Sequence, residues 1–290
     1  MTTKTAGSGS QNRLTAMLLL PSTLWFLLLL VMPFVVVLIF SFGERASAGG
    51  YEATFTFDQY LNLPARLTAF INTLTLAPLG TVLCIVIAYP LAYYLAVHAG
   101  DKVKLMLLVL VIVPFWTSFL IRTYAWIYIL GGQGIPELLE MIGIEDVRLI
   151  YTPTAVLIGI VYGYLPLMVF PVYVSLEKLD KRLLEASADL GAPPWRTFLQ
   201  VTLPLSAAGL VTGSLLVFIL VMGEFLIPAL LGGGKVFFVG NALVDLFLQS
   251  RNWPFGSAVA VALCAIMMAA VAIYLTMVGR QRTRGDVSLV

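Results

Sequence analysis

The run Glu185-Ala186-Ser187-Ala188-Asp189-Leu190-Gly191, closed by Leu203-Pro204, is a polar, helix-patterned island between two long apolar stretches. Its residue types suit docking and not bond-making. Glu185 offers a fixed anion, the small Ala186 and Ala188 permit close approach, and Gly191 lets the chain turn without a Cβ clash. Residues for catalysis are missing elsewhere. His98 is the only histidine, and Cys84 and Cys264 have no metal-ligand spacing. Gly232-Gly233-Gly234-Lys235-Val236 lacks the first glycine and the hydroxyl of a phosphate-cradling loop and reads as a turn. There is no His-Glu-x-x-His and no nucleophile motif. No catalytic residue, metal site or bound cofactor is expected, and no basic stripe points to nucleic acid.

Around the island, Asp180 stands as an N-cap and Gly191 with Pro193 and Pro194 as a stop signal. Leu179, Leu183, Ala186 and Leu190 recur at helical steps on one face. Trp195, Phe198, Leu199 and Thr202 predict a second short helix after the corner. Residues 135–147 predict an amphipathic helix, with Pro136 at its start and Leu138, Leu139 and Ile142 among Glu137, Glu140 and Glu145.

The surroundings are those of a bilayer. The chain is 60% hydrophobic and only 11% charged, against roughly 25% charged residues in a soluble domain. Uncharged runs lie between Arg13 and Glu44, Arg66 and His98, Lys104 and Arg122, Arg148 and Glu177, Arg196 and Glu224, and Arg251 and Arg280. A spanning helix needs about 20 apolar residues. Six spans are therefore expected, the third starting near Leu105, carrying Arg122 to the far interface and continuing to Tyr128. The first is expected to be a retained span and not a cleaved leader. This divides the chain into a tail at 1–13, a six-helix domain at 14–279 containing the loop 177–204, and a tail at 280–290.

An even number of spans puts both termini on one side. That side, with the loops around Asp101 and at 177–204, holds Lys4, Arg13, Lys102, Lys104, Lys178, Lys181, Arg182, Arg196, Arg280, Arg282 and Arg284, most of the 17 Lys and Arg. The positive-inside bias makes it the cytoplasmic side.

The island resembles the "EAA" loop of binding-protein-dependent ABC importer permeases, with Ser187 in place of the second alanine and Val201 at the aliphatic position. Three further segments match: Pro114-Phe115-Trp116-Thr117-Ser118-Phe119-Leu120-Ile121-Arg122-Thr123-Tyr124-Ala125-Trp126, Gly223-Glu224-Phe225-Leu226-Ile227-Pro228 and Asn252-Trp253-Pro254. Together they look like the spermidine/putrescine-type permeases, over roughly Leu18 to Tyr274.

The resemblance implies an all-α membrane protein of the type I ABC importer permease fold, multi-pass in a bacterial inner membrane. It implies a second permease subunit, a separate ATPase dimer that uses the ATP and Mg, and an extracytoplasmic polyamine-binding protein. Glu185, Ala186, Gly191, Leu203 and Pro204 would then form the loop that seats on the ATPase. A polyamine is a flexible polycation, which wants carboxylates and aromatic faces along its path. Glu224 and Asp245 are the candidate acids, and Trp116, Tyr124 and Trp126 the candidate cation–π surfaces. Arg122 is expected to point at headgroups or pair with an acid. Rival readings are an importer of another cargo (an opine, another organic cation or ferric iron), a membrane-embedded enzyme, and an ion-gradient-driven transporter, which would show interrupted internal halves.

Overall fold

A computed structural model describes residues 8–287 of the 290-residue chain. Lys4 and residues 288–290 lie outside the described residues, as do the side chains of Arg13, Arg280, Arg282 and Arg284.

The regular structure described is helical, apart from one isolated bridge between Glu44 and Glu52. In chain order, α1 (Met17–Phe40) and α2 (Leu63–His98) are followed by α3 (Asp101–Trp116), α4 (Phe119–Leu130) and a short α5 (Ile135–Met141). Then come α6 (Pro153–Glu177), α7 (Lys181–Asp189), α8 (Pro194–Met222), a short α9 (Leu226–Leu231), α10 (Val239–Gln249) and α11 (Trp253–Val287). Helices α1, α2, α6, α8 and the Trp253–Thr276 part of α11 are each long and apolar enough to cross a bilayer.

The third of the expected spans is broken. α3 and the α4–α5 segment are bent by 96°, where the sequence predicted one helix from Leu105 through Arg122. The cause is local. Pro114 lies in a tight final turn, Val113–Trp116, and the Thr117 hydroxyl donates to the Pro114 carbonyl at 2.7 Å. Thr117 and Ser118 then take extended backbone, with ψ of 151° and 132°. Arg122 therefore lies one turn into a new helix, not at the far end of an old one.

A second expectation also changes. The stretch after Pro194 is not a separate short helix. It continues through a wide turn at Phe198–Thr202 into the rest of α8, with the Leu203 N–H bonded to the Phe198 carbonyl. Pro204 explains the wide turn, because a proline ring clashes with the carbonyl four residues back and has no N–H to give it. The predicted helix over 135–147 is shorter, ending at Met141. Gly143 at φ +87° closes it, and the Ile144 N–H returns to the Leu139 carbonyl at 3.0 Å.

The chain divides into two units. One comprises residues 8–65 with Asp245–Cys264. There Phe40 stacks on Tyr51 and Trp253, Arg45 donates to the Ser250 carbonyl at 2.7 Å, and the Ser41 hydroxyl meets that of Tyr60 at 2.7 Å.

The other unit holds Arg66–Val244 and residues 265–287, with α6 packed along both α2 and α8. Small residues set the α6–α8 approach. A Cβ on Gly209 would lie 2.2 Å from the Pro171 carbonyl oxygen, and one on Gly213 would lie 2.8 Å from the Met168 sulfur. Membrane helices lack a hydrophobic drive toward one another and rely on such close backbone contact.

One end of this unit carries α7 and the ion pair Lys104–Glu177 at 3.0 Å. Contacts from α2 to the α9–α10 segment mark the other end: Asn72 donates to the Phe237 carbonyl at 3.1 Å, and Thr73 accepts from the Val239 N–H at 2.9 Å.

Candidate functional sites: a docking corner and a charged cavity

The first site is the corner after α7. The Asp180 carboxylate accepts from the Arg182 N–H at 3.0 Å, which starts the helix. At the far end the Gly191 N–H bonds the Ala188 carbonyl at 2.8 Å and the Ala192 N–H the Ser187 carbonyl at 3.1 Å. Gly191 sits at φ +77°, the left-handed conformation of such a cap. Glu185, Ala186, Gly191 and Pro204 are exposed, and Leu203 is half-buried. The apolar stripe is not folded against its own chain, for Leu183 is exposed and Leu190 is 88% exposed. Trp195 and Leu199 add to this outward apolar surface.

The corner is tied to the bundle by contacts that motif reading missed. The Ser187 and Thr197 hydroxyls meet at 2.8 Å across the corner. One residue on, Phe198 packs edge-to-face on Tyr89 at 5.4 Å and on Tyr93 at 6.2 Å, both on α2. The Tyr89 hydroxyl meets Ser206 of α8 at 2.7 Å. Phe198 thus joins the corner to α2 by ring contact. The available signal was a tyrosine and a serine inside apolar spans, since a hydroxyl there needs a partner.

The second site is a cavity of about 330 Å³ whose lining includes Phe115, Phe119, Arg122, Tyr164, Glu224 and Leu226. Glu224 is buried, and its Oε1 accepts from the backbone N–H groups of Phe225 (3.0 Å), Leu226 (2.8 Å) and Ile227 (3.3 Å). The Tyr164 hydroxyl donates to Oε2. Glu224 therefore caps α9 as well as placing a negative charge in the cavity. Asn241 secures the same segment, donating to the Phe225 carbonyl at 2.7 Å and accepting from the Phe238 N–H at 3.1 Å.

Arg122 faces this cavity, contrary to the expectation that it reaches headgroups or an acid. Its guanidinium carbon lies 5.0 Å from the Phe115 ring centre, 5.4 Å from Phe119 and 5.9 Å from Tyr162. Its Nε is buried with no hydrogen-bond partner. Among the described residues no ion pair joins it to Glu224.

The other sequence candidates are elsewhere. Trp116, on the last turn before the break, is 83% exposed; Tyr124 is exposed, and Trp126 packs edge-to-face on Tyr162 at 5.4 Å. None of the three lines the cavity. Asp245 is half-buried at the start of the last turn of α10, its carbonyl accepting from the Ser250 N–H at 2.8 Å. His98 stacks on Tyr94 at the end of α2, and both cysteines are free, Cys84 buried and Cys264 half-buried. Among the described residues no cluster of His, Cys, Asp or Glu is arranged to hold a metal.

The family described as "Binding-protein-dependent transport system inner membrane component" matches residues 88–284, which include both sites. The chain belongs to this family. The permease is 41% identical to the spermidine/putrescine transport system permease protein PotB of Escherichia coli (strain K12), over 84% of this chain and 90% of that one. It is 42% identical to PotB of Haemophilus influenzae, over 86% and 89%. Among solved structures it is similar to a bacterial alginate ABC transporter in complex with an alginate pentasaccharide-bound periplasmic protein. There the TM-score is 0.72 at 18% identity, covering 91% of this chain and 93% of that one. The permease is accordingly an all-α, multi-pass inner-membrane transport subunit with the ABC importer permease fold.

Proposed function

We propose that this permease is one of two dissimilar membrane subunits of an ATP-driven importer of putrescine and spermidine. The observation that carries the reading is the 41% and 42% identity to the two PotB permeases over most of the chain. Cavity chemistry is consistent with such a cargo, since Glu224 and the rings of Phe115, Phe119 and Tyr164 provide a negative charge and apolar faces. Protonated amines are attracted by both.

In this reading the corner Glu185–Pro204 docks on a separate ATPase dimer, which alone binds and hydrolyses ATP with Mg. The exposed Leu183, Leu190 and Trp195 suit burial in a partner's groove. ATPase closure moves the corner, Phe198 transmits the movement to α2, and the bundle exchanges an outward-open for an inward-open state. An extracytoplasmic binding protein delivers the polyamine, and both termini lie in the cytoplasm. The sequence candidates Asp245, Trp116, Tyr124 and Trp126 remain proposed only as surfaces before or after the cavity.

Uptake of radiolabelled putrescine and spermidine tests the assignment, in cells lacking their other polyamine importers and carrying the whole transport system. Uptake is expected to require this permease and to be restored by it from a plasmid. Unchanged polyamine uptake on its deletion, with the remaining subunits present, would refute the cargo.

A further inference from the structure

Arg122 presents an unusual combination. A cation lies in a cavity that also contains an acid, yet it is held by ring faces and not by that acid. The carboxylate of Glu224 is engaged by three backbone N–H groups and the Tyr164 hydroxyl. The guanidinium instead lies over Phe115, Phe119 and Tyr162 at 5.0–5.9 Å, with its buried Nε unbonded. Buried donors without acceptors are exceptional in folded proteins. The three rings come from different places: Phe115 from α3 before the break, Phe119 from α4 after it, and Tyr162 from α6. Thr117 and Ser118, the extended link between the first two, form the break of the bent span.

We propose that the rings of Phe115, Phe119 and Tyr162 form a transit site for an ammonium group of the cargo, with Arg122 as its built-in competitor. This rests on the polyamine reading above. A protonated amine and a guanidinium are the same kind of ligand for an aromatic face, each a cation with N–H donors. The charge of Glu224 favours either one in the cavity. Arg122, being tethered, occupies the rings until a cargo ammonium displaces it, and returns when the cargo has moved on. Because its rings lie on both sides of the break, its departure also frees α3 and α4 to change their angle. A molecule with two or more ammonium groups is the suited displacer, since one group can rest near Glu224 while another takes the rings.

The prediction is specific to competition. A site partly blocked by a resident group binds its ligand more weakly by the fraction of time it is free, and removing the resident restores that affinity. Equilibrium binding of radiolabelled spermidine is measured on the purified transporter, both permeases with the ATPase and without the binding protein. Arg122→Met is expected to bind spermidine about fivefold or more tightly than the wild type. Arg122→Lys, which keeps a competing cation, is expected to stay within about twofold. Adding Phe119→Leu to Arg122→Met is expected to abolish the gain. Co-elution of all subunits verifies assembly, and Arg122→Gln carries the same expectation should Arg122→Met not assemble.

Equal or weaker binding by an assembled Arg122→Met transporter would overturn the proposal, as would a gain that survives Phe119→Leu. If the wild-type importer with its binding protein takes up spermidine but Arg122→Met shows no gain, only the transit site is lost. If the wild-type importer takes up neither polyamine, the cargo reading fails with it.

Discussion

Gly191 and Glu224 each hold a short helix in place, one by backbone freedom and the other by charge. Nothing lies within 4 Å of a Cβ built on Gly191, so a side chain there meets no neighbour, and the cost is the left-handed backbone at φ +77°. That conformation costs an ordinary residue about 1–2 kcal/mol, more for a β-branched one. Gly191→Val is expected to abolish transport while inserting normally. Gly191→Asn, which tolerates the same backbone, is expected to keep most of it. Uptake normalised to the amount in the membrane fraction checks both.

Glu224 allows a finer test, because glutamine keeps its reach and loses its charge while aspartate does the opposite. A hydrogen bond to a charged group is worth roughly 1.5–3 kcal/mol. If the charge serves the cargo, Glu224→Gln lowers uptake by about tenfold to a hundredfold, further than Glu224→Asp does, with the binding protein's own affinity unchanged. The reverse order would leave Glu224 as the cap of α9 alone. In the sequence, Glu224 stood out as an acid at a span end and Gly191 as a stop signal. The rings around Arg122 did not stand out, because they depend on a bend that a hydropathy run does not contain.

At the scale of elements, the proposed docking corner acts only if its movement reaches the spans, and we propose Phe198 as the joint. It lies in the wide turn that Pro204 imposes on α8, and its ring sits against Tyr89 and Tyr93 of α2. Phe198→Ala is expected to leave the complex assembled and its basal ATP hydrolysis intact. Stimulation of that hydrolysis by the cargo-loaded binding protein should be lost, and uptake should fall at least about tenfold, a coupling of some 1.4 kcal/mol. Full stimulation in the assembled variant would move the joint elsewhere.

The spans themselves were legible because a bilayer demands length and apolarity, both of which the sequence displays directly. The break in the third was less so, since the uncharged run from Lys104 to Arg122 continues across Pro114, Thr117 and Ser118 without a polar interruption long enough to signal it. The continuity of α8 was hidden for the opposite reason. Pro193, Pro194 and Pro204 read as boundaries, yet two of them start a helix and the third is absorbed by a wide turn.

At the scale of the whole molecule, charge and geometry make one statement that labelling can test. The corner after α7 and the Lys104–Glu177 pair share one end of the larger unit, while Thr152, which caps the start of α6 by accepting from the Ala155 N–H, belongs to the other. The α4–α5 segment leads to that other end and leaves Leu138 and Met141 exposed. The sequence count of lysines and arginines, read with the positive-inside bias, leads us to propose that the α7 side is the cytoplasmic one. In that proposed orientation α5 faces outward, and we propose its exposed Leu138 and Met141 as a surface for the membrane interface or a binding protein.

Single cysteines at Asp189 and Leu138, in a chain whose Cys84 and Cys264 are replaced by alanine, separate the two sides. A membrane-impermeant thiol reagent is expected to label Leu138→Cys in spheroplasts, and Asp189→Cys only in inside-out vesicles. Adding the ATPase should then protect Asp189→Cys in those vesicles while leaving a cysteine at Leu138 unaffected. Labelling of Asp189→Cys in intact spheroplasts would invert the orientation and place the corner where no ATPase could reach it. Labelling from the inside with no protection would keep the orientation but remove Asp189 from the docking face. Protection on the expected side would tie the exposed corner to the partner its shape and charge suit.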